Sequence, residues 1–265
     1  MDFVSFCRAH GVLIDSIPPM GTWVRFPTQD HPRSRNGAVK FMGDVGFVQN
    51  HAMDSEVSVW RSSIPIDRVM IAKAHKESKL EADKRNTLAS IRAKEILKEC
   101  RTASHPYLVK KGFPNEVGNI FEDNLVIPMR VNGDVVGVQL IKESGEKKFL
   151  YGQRTNDAEF IMDNRGAHIH CEGYATGLSI QQALRSMKFK YTIHVCFSAH
   201  NLLKVAKRYG GKVVADNDAS GTGERIAKET GLKYWMPDQV GEDANDYHIR
   251  VGTFKFSQAL RSLVV

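Results

Sequence analysis

"GGKVVADNDASGTGERIAKETG", residues 210–231, is the stretch on which the reading of this chain turns. Lys212 to Ala215 read as a short buried strand, and two carboxylates, Asp216 and Asp218, follow at its mouth. A Gly- and Ser-rich turn then leads into a helix-like segment. Two negative charges placed so close each raise the cost of ionising the other, so the pair needs a reason. Looking upstream, the same grammar repeats. "HIHC" precedes helix-like "GYATGLSIQQALRSM", and "TIHVCF" precedes "NLLKVAKRYG". Three strand–helix units in succession predict a parallel sheet with covering helices.

In such sheets functional groups collect at the carboxyl ends of strands. The first strand ends on Glu172 and the third on Asp216 and Asp218, so three carboxylates are expected to converge. An isolated Asp-x-Asp before a glycine-rich run is more often a solvated turn or a helix cap. A further acid at another strand end shifts the balance toward a cation site. Hard oxygen donors point to Mg²⁺ or Mn²⁺ rather than zinc. Asp243 and Asp246 in "GEDANDYH" are further candidate ligands.

The remaining chain divides by composition. Residues 1–62 hold short β-like pieces, "TWVRFP", "VGFVQN" and "VSVWRS". Residues 67–101 lack Gly and Pro and read as a charged helical connector, ended by "SHPY". Within 124–141 two apolar runs flank Asn132-Gly133, a strong hairpin signal. The 265 residues are 42% hydrophobic and 25% charged, ordinary for a globular chain of one large or two small domains. No apolar run is long enough to span a membrane and the N-terminus lacks a signal-peptide pattern. Four scattered cysteines without a Cys-x₂-Cys pair argue against a disulfide framework or a four-cysteine zinc site, and fit a reducing cytoplasm. A net charge of +7 favours polyanionic partners.

"CEGYATGLSIQQAL", "VVADNDASGTGERIA" and "GEDANDYH" together resemble the Toprim domain of bacterial-type primases, topoisomerases and some nucleases. The wording is most similar to Toprim primases of phages and plasmids. "SHPYLVKKGF", "NLVIPMRVNGDVVGVQLI" and "GEKKFLYGQR" resemble the basic, RNA-polymerase-like subdomain that precedes Toprim there, and residues 1–62 resemble the N-terminal module of the group. The resemblance implies a mixed α/β fold. Its parts are an N-terminal template-binding module at 1–62, a connector at 63–103, a basic α+β subdomain at 104–165, a Toprim parallel-sheet domain at 166–250 and a C-terminal tail at 251–265.

For the site it implies Glu172, Asp216 and Asp218 as catalytic, metal-contacting acids, with Asp243 and Asp246 as further ligands. Lys110, Lys111, Lys147, Lys148 and Arg154 are then expected to hold nucleoside triphosphates. Arg25, Arg33, Arg35 and Lys40 are expected to touch template DNA. The implied reaction is template-directed, metal-dependent synthesis of short RNA primers on single-stranded DNA.

Family members often carry a zinc ribbon, and here the chain departs from them. Only Cys7 and His10 stand close together, so the N-terminal module is expected to be ribbon-like without zinc, held by Trp23, Phe26, Phe41, Phe47 and Trp60. One or two of these rings are candidates for stacking on template bases. Rival readings stay open: a Toprim nuclease uses the same acids on water, and a non-catalytic DNA-binding accessory protein would leave the acids unexplained. A topoisomerase would need a nucleophilic Tyr in a further domain. No GxxxxGK[ST] loop occurs, so a replicative helicase is expected as a separate partner.

Overall fold

The structure is a computed structural model and describes residues 1–51, 56–62 and 68–264. The first residues of the expected connector, 63–67, and the last of the expected tail, 265, lie outside the described residues. The chain forms two compact units, Met1–Lys84 and Arg85–Val265.

In the first unit, helix α1 (Phe3–Ala9) is capped by Asp2, whose carboxylate accepts from the Ser5 amide at 2.8 Å. Four antiparallel strands follow in sequential order: β1 (Trp23–Phe26), β2 (Gly37–Phe41), β3 (Val45–Asn50) and β4 (Ser58–Arg61). Alternation sorts their side chains. Val39 and Val48 bury with Phe3, Cys7, Val12 and Ile14, and Phe26, Phe41 and Trp60 pack against them. Trp23, Lys40, Phe47 and Val59 are cross-strand neighbours in one row of the sheet. Gly46 lies beneath α1, where an added Cβ would come within 2.0 Å of the Phe3 ring. Cys7 is wholly buried in this core, and His10 Nδ1 donates to the Phe6 carbonyl at 2.9 Å.

Helix α2 (Arg68–Glu99) realises the expected helical segment, yet the division between units falls inside it. Ala93 and Ile96 are buried against Val126, Val135 and Val138, and Ser90 Oγ donates to the Val135 carbonyl. Its second half is therefore core, where a free connector had been expected. The small residues Ala89 and Ala93, facing a sheet, were the sign.

The second unit holds two five-stranded sheets. The first runs β5 (Arg101–Ala103), β6 (Gly118–Phe121), β7 (Asn124–Val131), β8 (Asp134–Ile141) and β9 (Lys147–Phe149), with helix α3 (Pro106–Lys110) inserted after β5. The β7–β8 turn is the expected Asn-Gly hairpin. Asn132 at φ 50° and Gly133 at φ 88° supply the two left-handed residues that a tight two-residue turn requires. The other sheet contains β10 (Phe160–Asp163), β11 (Ala167–Cys171), β12 (Tyr191–Val195), β13 (Lys212–Val214) and β14 (Lys233–Trp235) in the order β10-β12-β11-β13-β14. Helices α4 (Tyr174–Ser186), α5 (Ala199–Tyr209) and α6 (Thr222–Thr230) connect β11 to β14, and all of these strands are parallel. Only β10 is antiparallel, an edge strand not read from its four residues.

One apolar core joins both sheets: Leu108, Ile120, Leu125 and Ile141 share it with Ile169, Ile180, Leu184 and Ile193. Helix α7 (Ala244–Val264), broken at Gly252, completes it with Phe256, Leu260 and Leu263. The expected tail at 251–265 is thus corrected: its described part is helix, and buried. The Phe256 ring lies 5.3 Å from His248 and 5.5 Å from Trp235. Truncation there leaves a cavity that such a packed shell cannot close. Phe256→Ala is expected to lower stability by about 3–5 kcal/mol in urea unfolding. A change under about 1 kcal/mol would return the segment to the status of a tail.

Candidate active site

Strand β11 is central, with β12 on one side and β13 on the other. The chain thus leaves β11 to one side and later returns to its other side, opening a crevice where the strand order reverses. Glu172 follows β11 directly, and Asp216 follows β13 after one intervening residue, so topology sets both acids on the rim of that crevice. A small cavity of ≈ 10 Å³ lies there, lined among others by Glu172, Ala199, Asp216 and Gly223. Such a volume is about what one water-sized particle needs.

Asp216 is the unusual member. Its Oδ1 is buried and has no hydrogen-bond partner. Burial, with the negative charges of Glu172 and Asp243 close by, pushes its pKa up to about 7, against the pull of the Lys147 ammonium. Gly223 is obligatory beside it, because a Cβ at that position would come within 2.1 Å of the Asp216 carbonyl oxygen. A buried carboxylate oxygen lacking a partner is costly, which is the condition a cation relieves.

Asp218 behaves in the opposite way. Its Oδ1 accepts from the Ser220 hydroxyl and amide and from the Thr222 amide, and its Oδ2 accepts from the Gly223 amide at 2.7 Å. Burial works to raise its pKa, but these bonds prevail and hold it below the usual carboxylate range. Gly221, the residue before α6, offers no side-chain cap, and Asp218 takes that part from three residues upstream. The two acids, read from sequence as a pair, thus divide into an unsatisfied group and a saturated one.

Glu172 is partly buried, and burial raises its pKa. Lys147 opposes that rise, Asp218 adds to it, and His200 with the Ala199 amide at the start of α5 favours the ionised form. Lys147 is brought here by β9: its Nζ lies 3.9 Å from where a Cβ on Gly173 would stand. Lys148, its neighbour on the strand, is instead held by Glu146 at 3.0 Å. Period-two alternation explains why adjacent lysines part company.

Asp243 and Asp246 form a reciprocal cap at the start of α7. Asp243 Oδ1 accepts from the Asp246 amide at 2.8 Å, and Asp246 Oδ2 accepts from the Asp243 amide at 3.3 Å. Asp246 also pairs with Lys111 at 3.1 Å. Lys110 pairs with Glu143 and Arg154 with Asp157. In the first unit Arg25 projects from β1, Lys40 lies on β2, and Arg33 and Arg35 are exposed between them.

Among the described residues, no three His, Cys, Asp or Glu side chains stand close enough to form a finished metal site. The acids share an electrostatic field rather than a coordination shell. The donor chemistry nonetheless fits a hard divalent cation: carboxylate oxygens, one of them buried and unpartnered.

A second polar cluster lies under α5, unremarked in the sequence. His194 Nδ1 meets Glu159 Oε2 at 2.6 Å, the Tyr209 hydroxyl donates to Glu159 Oε1 at 2.9 Å, and His168 Nδ1 meets His194 Nε2 at 2.8 Å. His170 donates from Nε2 to the Gly210 carbonyl at 2.7 Å, and burial drives its pKa down to about 4. The alternating histidines of "HIHC" were the available signal, since alternate residues share one face of a strand. Phe197 was missed as well. It holds a left-handed φ of 66° at the end of β12, and its amide donates to the Glu172 carbonyl at 2.9 Å.

No protein-family profile and no curated protein matches the chain. Among solved structures, a DNA primase domain from Pseudomonas aeruginosa is similar over 65% of this chain, at 13% identity and a TM-score of 0.39. The match spans 59% of that domain's length, and a likeness of this degree assigns no activity here. Among the described residues no helix is long and apolar enough to cross a membrane.

Asp216 and His170 bias stability in opposite directions over one pH range. The raised pKa of Asp216 gives stability that is full below its unfolded value of 3.8 and lost as pH rises through about 7. The depressed pKa of His170 gives stability that is full above 6.5 and lost as pH falls toward about 4. Each is worth on the order of a few kcal/mol, so in chelator-treated protein they oppose one another. Asp216→Asn removes one side of the balance. Urea unfolding of that variant is expected to show higher stability than the parent at pH 8, falling steeply between pH 6.5 and 4. Parallel pH profiles for the two proteins would overturn these assignments.

Proposed function

We propose that this chain is a metal-dependent nucleotidyltransferase of the Toprim primase type, making short RNA primers on single-stranded DNA for phage or plasmid replication. The observation that carries the reading is Asp216: a strand-end carboxylate with a buried, unpartnered oxygen, next to Glu172 at the switch point of a parallel sheet. A buried carboxylate oxygen without a partner calls for an explanation, and a bound cation supplies one.

In the reaction, a 3′-hydroxyl oxygen bonds to the α-phosphorus of a nucleoside triphosphate, the bond to pyrophosphate breaks, and the hydroxyl proton passes to a base. Asp216 and Glu172 would hold Mg²⁺ or Mn²⁺, with Asp218 and Asp243 contributing charge around them. Such an ion, when bound, acidifies the hydroxyl and neutralises the phosphate oxygens. Glu172, its pKa raised by burial, is the candidate base for that proton. Lys147, poised over the same acids, would clamp phosphate oxygens. The partners in this reading are single-stranded DNA, nucleoside triphosphates and a separate helicase, in the cytoplasm.

The test is synthesis from labelled nucleotides on single-stranded templates with Mg²⁺ or Mn²⁺, products resolved by length. Extension products are expected, and Asp216→Asn should reduce them at least about 100-fold. Lys147→Ala should lower the rate by about tenfold or more, while Lys148→Ala, whose cation is already held by Glu146, should change it less than threefold or so. Shortened template without extension would replace this reading with a nuclease, and full activity in Asp216→Asn would remove the site.

A further inference from the structure

We propose that Phe149 and Tyr151 form a platform on which bases of a single DNA strand stack as it passes the acidic crevice. The inference rests on the reading of the chain as a nucleic-acid enzyme and adds a binding site to it. Strand β9 is an edge of its sheet, paired with β8 alone. Along it, Lys147 reaches the acids, and Phe149, two residues on and so on the same face, is 43% exposed. Its ring meets Phe197 edge-to-face, with centroids 6.5 Å apart, and Phe197 is the residue whose amide holds the Glu172 carbonyl. An aromatic surface therefore begins at the rim of the crevice.

Tyr151 follows two residues later, 88% exposed on the turn after β9. That turn is tightly held. Gln153 Oε1 accepts from the Leu150 and Val138 amides at 3.1 and 3.0 Å, and Gln153 Nε2 reaches Met129 Sδ. Gly152, at φ 74°, fits closely against Arg85, where an added Cβ would come within 2.9 Å. A turn already held in place spares the backbone ordering that binding would otherwise cost. Four residues of chain place it at most about 14 Å from Lys147, which is short of three nucleotide steps in an extended strand.

The openness of the ring selects the occupant. A lone nucleoside needs enclosure on both faces, whereas a strand tethered by its phosphates gains from one exposed face, whatever the base. The positive charge of Lys147 beside the platform suits such a tether, and so does the +7 net charge of the chain.

Fluorescence anisotropy on the full chain separates the possibilities, with labelled oligothymidine and an abasic strand of equal length and charge, in the absence of triphosphates. The wild type is expected to prefer oligothymidine by roughly five- to tenfold. Tyr151→Ala should remove most of that preference without changing the melting temperature, and Tyr151→Phe should keep it. Equal binding of the two strands by the wild type, or an unchanged preference in Tyr151→Ala, overturns the platform. Displacement of oligothymidine by free nucleoside triphosphate in the wild type but not in Tyr151→Ala also overturns it, in favour of a mononucleotide site. Base-dependent binding without any primer synthesis would leave the platform standing and sink the proposed reaction instead.

Discussion

A carboxylate buried without a partner is among the least comfortable groups a fold can contain, and in this chain Asp216 occupies that position. Most of what surrounds it is explained by the need to tolerate it. The strand order around β11 creates the crevice that receives it. Gly223 keeps its carbonyl free of a clash, and Lys147 arrives from the other sheet to offset part of the charge. Nearby acids are quieted by local bonds. Asp218 is consumed by the first turn of α6, and Asp243 and Asp246 satisfy one another's amides at the start of α7. Asp218 stays ionised within its bonds, and the ionisation cost falls on Asp216 and Glu172, whose pKa values burial raises.

Two sheets cooperate in that arrangement through covalent and non-covalent ties. The Arg130 and Glu159 backbones exchange hydrogen bonds of 2.9 Å each, joining β7 to the start of β10. The Glu159 side chain then enters the histidine cluster beneath α5, next to the strands that end on the acids. Lys111 reaches Asp246, and Asn245 donates to the Lys111 carbonyl at 2.9 Å. Backbone bonds thus tie β7 to the start of β10, and polar contacts tie the segment after α3 to the first turn of α7.

What could be read from the sequence was what depends on local chemistry. The strand–helix alternation from residue 168, the Asn132-Gly133 turn and the long charged helix without Gly or Pro all follow from short-range preferences, and all are present. Convergence of Glu172 and Asp216 was legible because strand ends in parallel sheets share one edge. The division of roles among the acids was not. Whether a carboxylate is free or occupied depends on amides that only the folded turn presents, as at Asp218 and Asp246. The same limit applies to Lys147 and Lys148, which are alike in sequence but separated by the pleat. Residues 251–265 read as a tail in sequence, and the burial of their described part arises from partners as distant as Leu108.

The reach of that shared core has a consequence for how the chain comes into being. Its members extend from Tyr107 to Leu263, so the core that joins the two sheets cannot close before α7 has been made. The first unit carries its own core between Phe3 and Val48 and is complete much earlier. On the ribosome the N-terminal module would therefore fold while the sheets that carry the acids still wait, collapsed but unsealed, for their last helix. Contacts so distant in sequence also slow the final step, since long loops must be closed before they are rewarded. Maturation of the acidic crevice is in this sense a late event, timed by the arrival of α7.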